Sequence, residues 1–186
     1  MGKLFLYFAI IIVIIGLDQW SKTYVASHFY LGESVEVIDG FFNLKYVHNK
    51  GAAFGFGNDY GQWPRIILFK ILPVIACFWL LSLLWHSLRG PKLMSFAYAF
   101  VLGGAIGNII DRIRLDYVVD FFDFYIKTGQ NKLGMAQYKH FATFNISDSF
   151  ITIAAFLIII DFFKERKRKL REESEELSSQ QIVSKN

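Results

Sequence analysis

Residues 103–124, GGAIGNIIDRIRLDYVVDFFDF, run from an apolar segment directly into a cluster of acids. Four carboxylates fall within thirteen positions: Asp111, Asp116, Asp120 and Asp123. A charge at membrane depth is costly unless it is paired, so acids at the mouth of an apolar run mark a functional site by default. The stretch therefore predicts a membrane-spanning helix that ends at such a site.

The rest of the chain fits a membrane protein. Its 186 residues are 54% hydrophobic, whereas soluble domains are about 45–50% apolar. A helix needs about 20 apolar residues to cross a hydrocarbon core of roughly 30 Å. Four runs are long enough, at about 4–26, 66–86, 93–110 and 144–163. We expect a four-helix transmembrane domain over residues 1–163 and a basic, then acidic, disordered tail over 164–186.

Charge near the spans predicts the orientation. Lys and Arg favour the cytoplasmic side, and the densest basic block, KERKRKLR at 164–171, follows the fourth run. The first run has a basic start like a secretory signal, but no clear cleavage site follows it and three more spans do, so we expect it to be retained. Both termini are then cytoplasmic. The basic block suits anionic lipid, and no nucleic-acid motif accompanies it.

Residues 31–56 have a different pattern. Apolar and polar side chains alternate around an Asp39–Gly40 turn, which predicts a small sheet outside the membrane. The small residues of GAAF (51–54) include Gly51 and Ala53 and allow close backbone approach. This edge is a candidate for binding an extended substrate. The expected fold is mainly α, with four transmembrane helices, a small extracytoplasmic β-sheet and a loop or short helix over the active site.

Two further patterns place polar groups inside the spans. Asp18 and Lys22 are four residues apart, so they share a helix face and are expected to pair with each other or with the outer loops. In the third span, Gly103 and Gly107 form a small-xxx-small spacing that admits a neighbouring helix. A neighbouring stripe becomes polar toward the outer surface and contains Gly104, Asn108, Asp111 and Arg112.

Asp120 and Asp148 bracket a polar excursion, after which the chain re-enters the membrane at FNISDSF (144–150). Both acids therefore return to the same depth, and Asn145 lies beside Asp148. A carboxylate pair that shares a proton can activate water and protonate a leaving amine. On spacing alone, an aspartyl hydrolase, a small proton- or ion-coupled transporter and a structural protein all stay open. No internal repeat supports the transporter.

Four blocks resemble, in order and spacing, the bacterial lipoprotein signal peptidase family, signal peptidase II. They are DQWSK (18–22), NKGAAFGF (49–56), residues 103–124 and FNISDS (144–149). The resemblance implies an inner-membrane aspartyl endopeptidase that cuts prolipoproteins just before a diacylglyceryl-modified cysteine and is blocked by globomycin-type inhibitors. We expect it to act as a monomer and to need no cofactor or metal. The resemblance implies Asp120 and Asp148 as the catalytic pair. It implies supporting roles for Asp18, Lys22, Asn49, Gly51, Gly104, Asn108, Asp111, Arg112 and Asn145. Ala53 is added for its small size alone, as part of the candidate substrate edge.

The sequence departs from the family pattern in three places. Asp116 stands where glycine is usual, Ser147 where alanine is usual and Ala142 where a proline is usual, and the loop 125–141 is longer than typical. None of these changes removes a catalytic group. Of the other acids, Asp111 is expected to pair with Arg112, Arg114 or Lys22, and Asp116 and Asp123 to be solvated. Arg112, with five donors in a fixed fork, is expected to hold the loop that carries Asp120 or a substrate carbonyl.

Overall fold

The computed structural model describes residues 2–51, 60–130 and 136–183. It contains four long helices: α1 (Gly2–His28), α2 (Gln62–Ser87), α3 (Lys92–Arg114) and α4 (Ile146–Val183). Each is long and apolar enough to cross a membrane, which confirms the four predicted spans. Large apolar side chains point outward from α2 and α4, among them Phe78 and Phe156 at 71% and 61% exposed. Such faces are suited to lipid.

The helix α2 changes its winding near its start. Residues Gln62–Ile66 are α-helical, Ile67–Ile71 form a π-helical turn, and the α-helix resumes at Leu72. Pro73 explains the change, because a proline lacks the N–H that would bond the carbonyl of Phe69 and its ring crowds that carbonyl. A π turn is a common way to accommodate such a break and is frequent at functional sites.

Glycines let α3 pack closely against its neighbours. A Cβ on Gly103 would lie 2.9 Å from the Cβ of Ile14 in α1, and one on Gly104 would lie 2.5 Å from the carbonyl oxygen of Ser147 in α4. Neither approach leaves room for a side chain. A Cβ on Gly107 would meet both Asp18 and Ser147. The predicted small-residue face of α3 is thus the contact that brings α1 and α4 together.

An antiparallel sheet of order β1-β2-β3-β4 caps one end of the helices. Its strands are β1 (Ser34–Ile38), β2 (Phe42–Asn49), β3 (Val118–Gln130) and β4 (Ala136–His140). Gly40, at φ 70°, makes the predicted turn between β1 and β2. Over the described residues, the segment 125–141 is mostly a pair of hydrogen-bonded strands, where the sequence predicted a loop. Alternating aromatic and polar residues in FDFYIK satisfy the strand pattern that the acids had obscured.

The sheet is fixed to the helices near the ends of α1, α3 and α4. Val25, Tyr46, Val119 and Phe121 form a buried apolar cluster that joins α1, β2 and β3. The carbonyl of Phe144 accepts hydrogen bonds from the N–H groups of residues 121 and 122, at 3.0 and 2.8 Å. This bridge holds the start of α4 against β3, which places the neighbourhoods of Asp148 and Asp120 side by side.

The tail differs from its prediction. The sequence predicted disorder after residue 163, but α4 continues without a break to Val183. Opposite charges four residues apart support the helix beyond the apolar part, as at Glu165–Lys169 (3.4 Å) and Arg171–Glu175 (2.8 Å). Each such pair contributes only about 0.2–0.5 kcal/mol. The spacing of opposite charges in KERKRKLREESEE therefore indicates an exposed helix rather than an unstructured tail.

Candidate active site

Lys22 is the centre of a buried polar network between α1 and α3. Its Nζ lies 2.8 Å from Asp18 Oδ2 and 2.9 Å from Asp111 Oδ2, and it donates to Asn108 Oδ1 at 2.8 Å. A lysine ammonium has three N–H donors, and all three are used here. The side chain is 3% exposed, so both predicted pairings of this lysine are confirmed in one cluster.

Asp18 and Asp111 extend the network to the parts that carry the candidate catalytic acids. Asp18 Oδ1 accepts from the backbone N–H of Ser147 at 3.0 Å, and Asp111 Oδ2 accepts from the backbone N–H of Val119 at 3.1 Å. These residues directly precede Asp148 and Asp120. The two carboxylates thus fix the backbone on which each catalytic acid stands. Because the contact to Ser147 is through its main chain, the alanine usual at that position would make it too.

Gln19 is a member of this network that the sequence analysis missed. Its Nε2 donates to Asp111 Oδ1 at 2.9 Å, to the carbonyl of Gly107 at 3.1 Å and to Asp18 Oδ2 at 3.2 Å. Its position in DQWSK could have indicated this role, because Gln19 directly follows Asp18, a buried acid that needs hydrogen-bond donors. An amide adds donors without adding charge.

The first turn of α4 places Asp148. Asn145 immediately precedes the helix, and its Oδ1 accepts from the N–H of Asp148 at 3.0 Å. In return, Asp148 Oδ2 accepts from the N–H of Asn145 at 3.2 Å. This reciprocal pair is a capping box built from Asn and Asp at the N-cap and N3 positions. Asp148 is therefore held by the geometry that starts the helix, where a negative charge is also favourable.

Asp120 lies on β3 and is 2% exposed. Its Oδ2 accepts from Asn49 Nδ2 at 2.9 Å, and its Oδ1 accepts from Asn145 Nδ2 at 2.7 Å. The ladder between β2 and β3 shifts register between Leu44 and Val47, and Asp120 is paired with Val47 just after this irregularity. Bulges of this kind re-aim side chains next to active sites.

Two asparagines connect the candidate catalytic acids. Asn145 contacts both, through Asp120 Oδ1 and the capping box of Asp148. Asn108 donates to Asp148 Oδ1 at 2.8 Å and accepts from Asn145 Nδ2 at 3.1 Å. The chain of hydrogen bonds therefore runs from Lys22 through Asn108 to the catalytic pair. No cation among the described residues forms a salt bridge with Asp120 or Asp148, which are hydrogen-bonded by neutral groups.

Burial and the charge of Asp148 raise the pKa of Asp120 to about 7. Hydrogen bonds from Asn49 and Asn145 and the charge of Lys22 act in the opposite direction but do not cancel this effect. Desolvation disfavours the charged carboxylate, and a neighbouring carboxylate disfavours it further. Asp120 thus titrates near neutral pH. Such a group can be either a proton donor or a proton acceptor under ordinary conditions.

Arg112 lies beside the catalytic pair but contacts neither acid directly. Its Nη2 donates to the carbonyl of Gly51 at 3.0 Å, and its Cζ lies 5.7 Å above the ring of Phe69. The sequence predicted that it would hold the loop carrying Asp120 or a substrate carbonyl. In the structure its hydrogen bond instead fixes the end of β2, close to Asn49, the residue that donates to Asp120.

Asp120 and Asp148 open onto one cavity of about 770 Å³. It also contains Asn49, Asn108 and Arg112, together with apolar groups from α2, α3, α4 and the segment before α4: Pro73, Ala105, Val118, Phe144, Ile151 and Ile153. Most of this lining is apolar, and the polar groups are few and convergent. This combination is characteristic of a binding site for a largely apolar ligand. Ala142, one of the departures from the family pattern, also lies on this wall.

The other acids of the opening stretch separate into two kinds. Asp116 is exposed, as predicted, and adopts a left-handed conformation with φ 65°. This conformation explains why glycine suits the position. Asp123 was predicted to be solvated, but it is 1% exposed and accepts from His140 Nδ1 at 2.9 Å. The error arose because β4, which provides the histidine, was not predicted. Ala53, expected at the substrate edge, lies outside the described residues.

Comparisons with known proteins show which family the chain belongs to. Residues 10–164 match the family model described as signal peptidase (SPase) II. The lipoprotein signal peptidase of Alteromonas mediterranea is 42% identical over 160 residues, which cover 86% of this chain and 81% of that protein. That of Shewanella piezotolerans is 44% identical over 163 residues, covering 87% of each chain. A structure described as a bacterial membrane enzyme, solved by the in meso method at 2.3 Å, matches with a TM-score of 0.69 and 31% identity over 91% of this chain and 92% of its own.

A four-helix membrane fold with two amide-held carboxylates at one cavity defines an aspartic peptidase of the membrane. Residue spacing alone had left a transporter possible. The family match favours the peptidase instead, because it extends over all four spans. The chain belongs to the signal peptidase II family of bacterial membrane proteins.

Proposed function

We propose that the chain removes the signal peptide of prolipoproteins by cutting immediately before a cysteine that carries diacylglycerol. The observation that carries this proposal is the placement of Asp120 and Asp148 on one largely apolar cavity between the helices. Relatives with 42% and 44% identity are named lipoprotein signal peptidase. A lipid-modified segment is the kind of substrate that such a cavity suits.

The mechanism follows from one proton shared by two acids. At neutral pH, the raised pKa of Asp120 keeps one proton available to the pair, so that one carboxylate is protonated and the other ionised. The ionised carboxylate takes a proton from a water molecule, which attacks the scissile carbonyl, while the protonated carboxylate donates a hydrogen bond to the carbonyl oxygen. The C–N bond then breaks as a proton passes to the leaving amine. The pair again holds one proton, and no metal takes part.

The surrounding residues position this pair. Asn145 and Asn108 orient the two carboxylates, and Asn49 holds the outer oxygen of Asp120. Asp18, Lys22 and Asp111 fix the backbone behind them. Gly104 allows α4 to approach closely enough for these contacts, and Arg112 fixes Gly51 at the end of β2. We assign these residues positioning roles.

We also propose that the protein acts as a monomer in the bacterial inner membrane, with both termini in the cytoplasm and the site near the outer face. The basic block on α4 and the arginine and lysine between α2 and α3 support this orientation. Single cysteines in place of Arg89 and Lys139, in a background without Cys77, test it. An impermeant thiol reagent on intact cells is expected to label position 139 only. Labelling at 89 alone would reverse the orientation.

Cleavage by the purified full-length chain in detergent tests the function. The substrate is a peptide spanning a lipobox whose cysteine carries diacylglycerol. The matched control is the same peptide with an unmodified cysteine. We expect cleavage before the modified cysteine only, unaffected by EDTA and blocked by globomycin. If a properly folded chain cuts both peptides equally, or loses activity with EDTA and regains it with zinc, the proposed substrate or mechanism is wrong.

A further inference from the structure

A second cavity, of about 410 Å³, lies at the sheet-side ends of α2 and α3. Among the described residues, its polar lining is dominated by cations, Lys50, Arg65, Lys70 and Arg112, and Asp116 contributes the one carboxylate. Arg112 also lines the catalytic cavity, where acids balance it. Even without Arg112, three cations face one acid. We call this site the cationic pocket.

Hydrogen bonds hold the cationic pocket open without neutralising it. Arg65 donates from Nε to the carbonyl of Lys50 at 3.3 Å and from Nη2 to the carbonyl of Asp116 at 3.1 Å. It therefore ties the end of β2 to the end of α3 through neutral acceptors. Among the described residues it forms no salt bridge. Its positive charge is thus available to a ligand.

Lys70 is paired, but only on one side. Its Nζ lies 2.6 Å from Asp116 Oδ1, and the side chain of Asp116 is 80% exposed. The charge and hydrogen bond of Lys70 lower the pKa of Asp116. A lysine has three donors, and this pair uses one of them. Because an exposed ion pair contributes little, an incoming anion competes with Asp116 at small cost.

The wall of the cationic pocket is amphipathic and meets the lipid-facing surface. Gln62, Ile66 and Phe69 lie on one stripe of α2 at spacings of three and four residues, and all line the pocket. On the adjacent face of the same turns, Trp63 is 75% exposed and Ile67 is 47% exposed. Tryptophan is typical of the headgroup level. The pocket thus offers cations at headgroup depth beside an apolar wall, at the π turn of α2.

We propose that the cationic pocket binds the phosphate group of an anionic phospholipid, with the acyl chains along the exposed face of α2. The phosphate lies among Lys50, Arg65 and Lys70, and the glycerol backbone contacts Ile66 and Phe69. Arg112 is the wall shared with the catalytic cavity, so the bound lipid lies next to the substrate site without occupying it. The net charge of the pocket favours an anionic lipid over a zwitterionic one.

Lipid retention measured by native mass spectrometry tests this proposal on the full-length chain. The protein in non-ionic detergent receives an equimolar mixture of phosphatidylglycerol and phosphatidylcholine with identical acyl chains. We expect wild type to retain phosphatidylglycerol preferentially, and Lys70→Met to reduce that preference about fivefold, the effect of about one cation near a lipid surface. Lys70→Arg is expected to preserve it. Lys139→Met, an exposed lysine on β4, is the matched control and is expected to change nothing.

Asp116→Gly is expected to change lipid retention in the opposite direction, which separates an effect on binding from an effect on folding. It removes the competing carboxylate and suits the left-handed backbone at that position, so retention of phosphatidylglycerol is expected to rise. A general loss of structure cannot produce this gain. Equal retention of the two lipids by wild type, or an unchanged preference in Lys70→Met, would overturn the proposal. The proposal would also be overturned if inorganic phosphate or an acidic peptide displaced the bound phosphatidylglycerol as effectively as short-chain phosphatidylglycerol does.

Discussion

The protein contains two pairs of carboxylates that differ in what lies between them. Asp18 and Asp111 share the ammonium group of Lys22, at 2.8 and 2.9 Å. Asp120 and Asp148 instead share asparagines, Asn145 and Asn108, which donate hydrogen bonds but carry no charge. A buried acid with a cation stays ionised and acts as a fixed acceptor. A buried pair with only amide partners lowers its charge by keeping a proton.

This difference suggests how a four-helix membrane protein can keep one pair of acids fixed and another reactive. In our proposal the same side chain is structural in one pair and catalytic in the other, and the partner decides which. Asn108 connects the two pairs, since it accepts from Lys22 and donates to Asp148. The structural pair thus orients the catalytic pair without neutralising it.

The largest effect is expected from removing the shared proton. Asp120→Asn and Asp148→Asn are each expected to lower turnover at least about 10³-fold, because a general acid or base contributes about 10²–10⁴ and here both roles need the pair. Cleavage of the diacylglyceryl peptide measures the loss. Globomycin binding by the same variants is the control for folding. Near-normal cleavage by either variant would mean that the two acids do not act as a pair.

Breaking the structural pair is expected to affect folding first. Lys22→Met leaves Asp18 and Asp111 buried without their cation, and loss of one partner of a buried ion pair costs about 3–5 kcal/mol. The folded yield in detergent, measured by size-exclusion chromatography, is expected to fall sharply. Adding Asp111→Asn to this variant is expected to restore part of the yield. If Lys22→Met were as stable as wild type, the charge balance of this cluster would not matter.

Arg112 tests whether the ends of the strands must be held for the catalytic pair to work. Arg112→Lys keeps the charge but loses the planar fork that donates to Gly51. We expect turnover to fall about 10- to 100-fold, the loss typical when a residue that orients the groups in direct contact with the reaction is changed. The exposed Arg114→Lys, half a turn further on, is the matched control. Equal rates for the two variants would reduce Arg112 to an electrostatic role.

The pH dependence of stability tests whether Asp120 holds a proton in the folded protein. The pKa of Asp120 is raised in the folded protein, to about 7, from about 3.9 when unfolded. Between these values the folded state binds more protons, so stability falls as pH rises from about 4 to 7 and is flat above that range. The Tm of Asp120→Asn minus that of wild type is therefore expected to increase from pH 5 to pH 8. A constant difference would show that Asp120 does not hold a proton.

The sequence predicted some of these features better than others, for physical reasons. The spans and the pairing of Asp18 with Lys22 follow from local periodicity and were found. The partner of Asp123 was not, because His140 comes from a strand whose pattern is interrupted by polar residues. Gln19 was missed since an amide carries no charge that must be balanced. Long-range contacts of neutral groups leave little trace in one sequence.

The smallest effect is expected at Asp123, a buried carboxylate outside both pairs, which sharpens the comparison. It accepts from His140 Nδ1 at 2.9 Å, and Asn43 Nδ2 lies 3.5 Å away. It stands three residues after Asp120 on β3, but it does not line the catalytic cavity. Its partner is a half-exposed histidine that water can reach, unlike the enclosed Lys22.

Asp123→Asn keeps the size of the side chain and is expected to cost about 1 kcal/mol of stability, the net contribution of one hydrogen bond. Turnover is expected to stay within about twofold of wild type, since uncoupled surface or peripheral changes have small effects. Thermal unfolding and peptide cleavage measured on one preparation check both values. A loss of turnover comparable to that of Asp120→Asn would show that burial alone, and not the identity of the partner, makes an acid of this sheet essential.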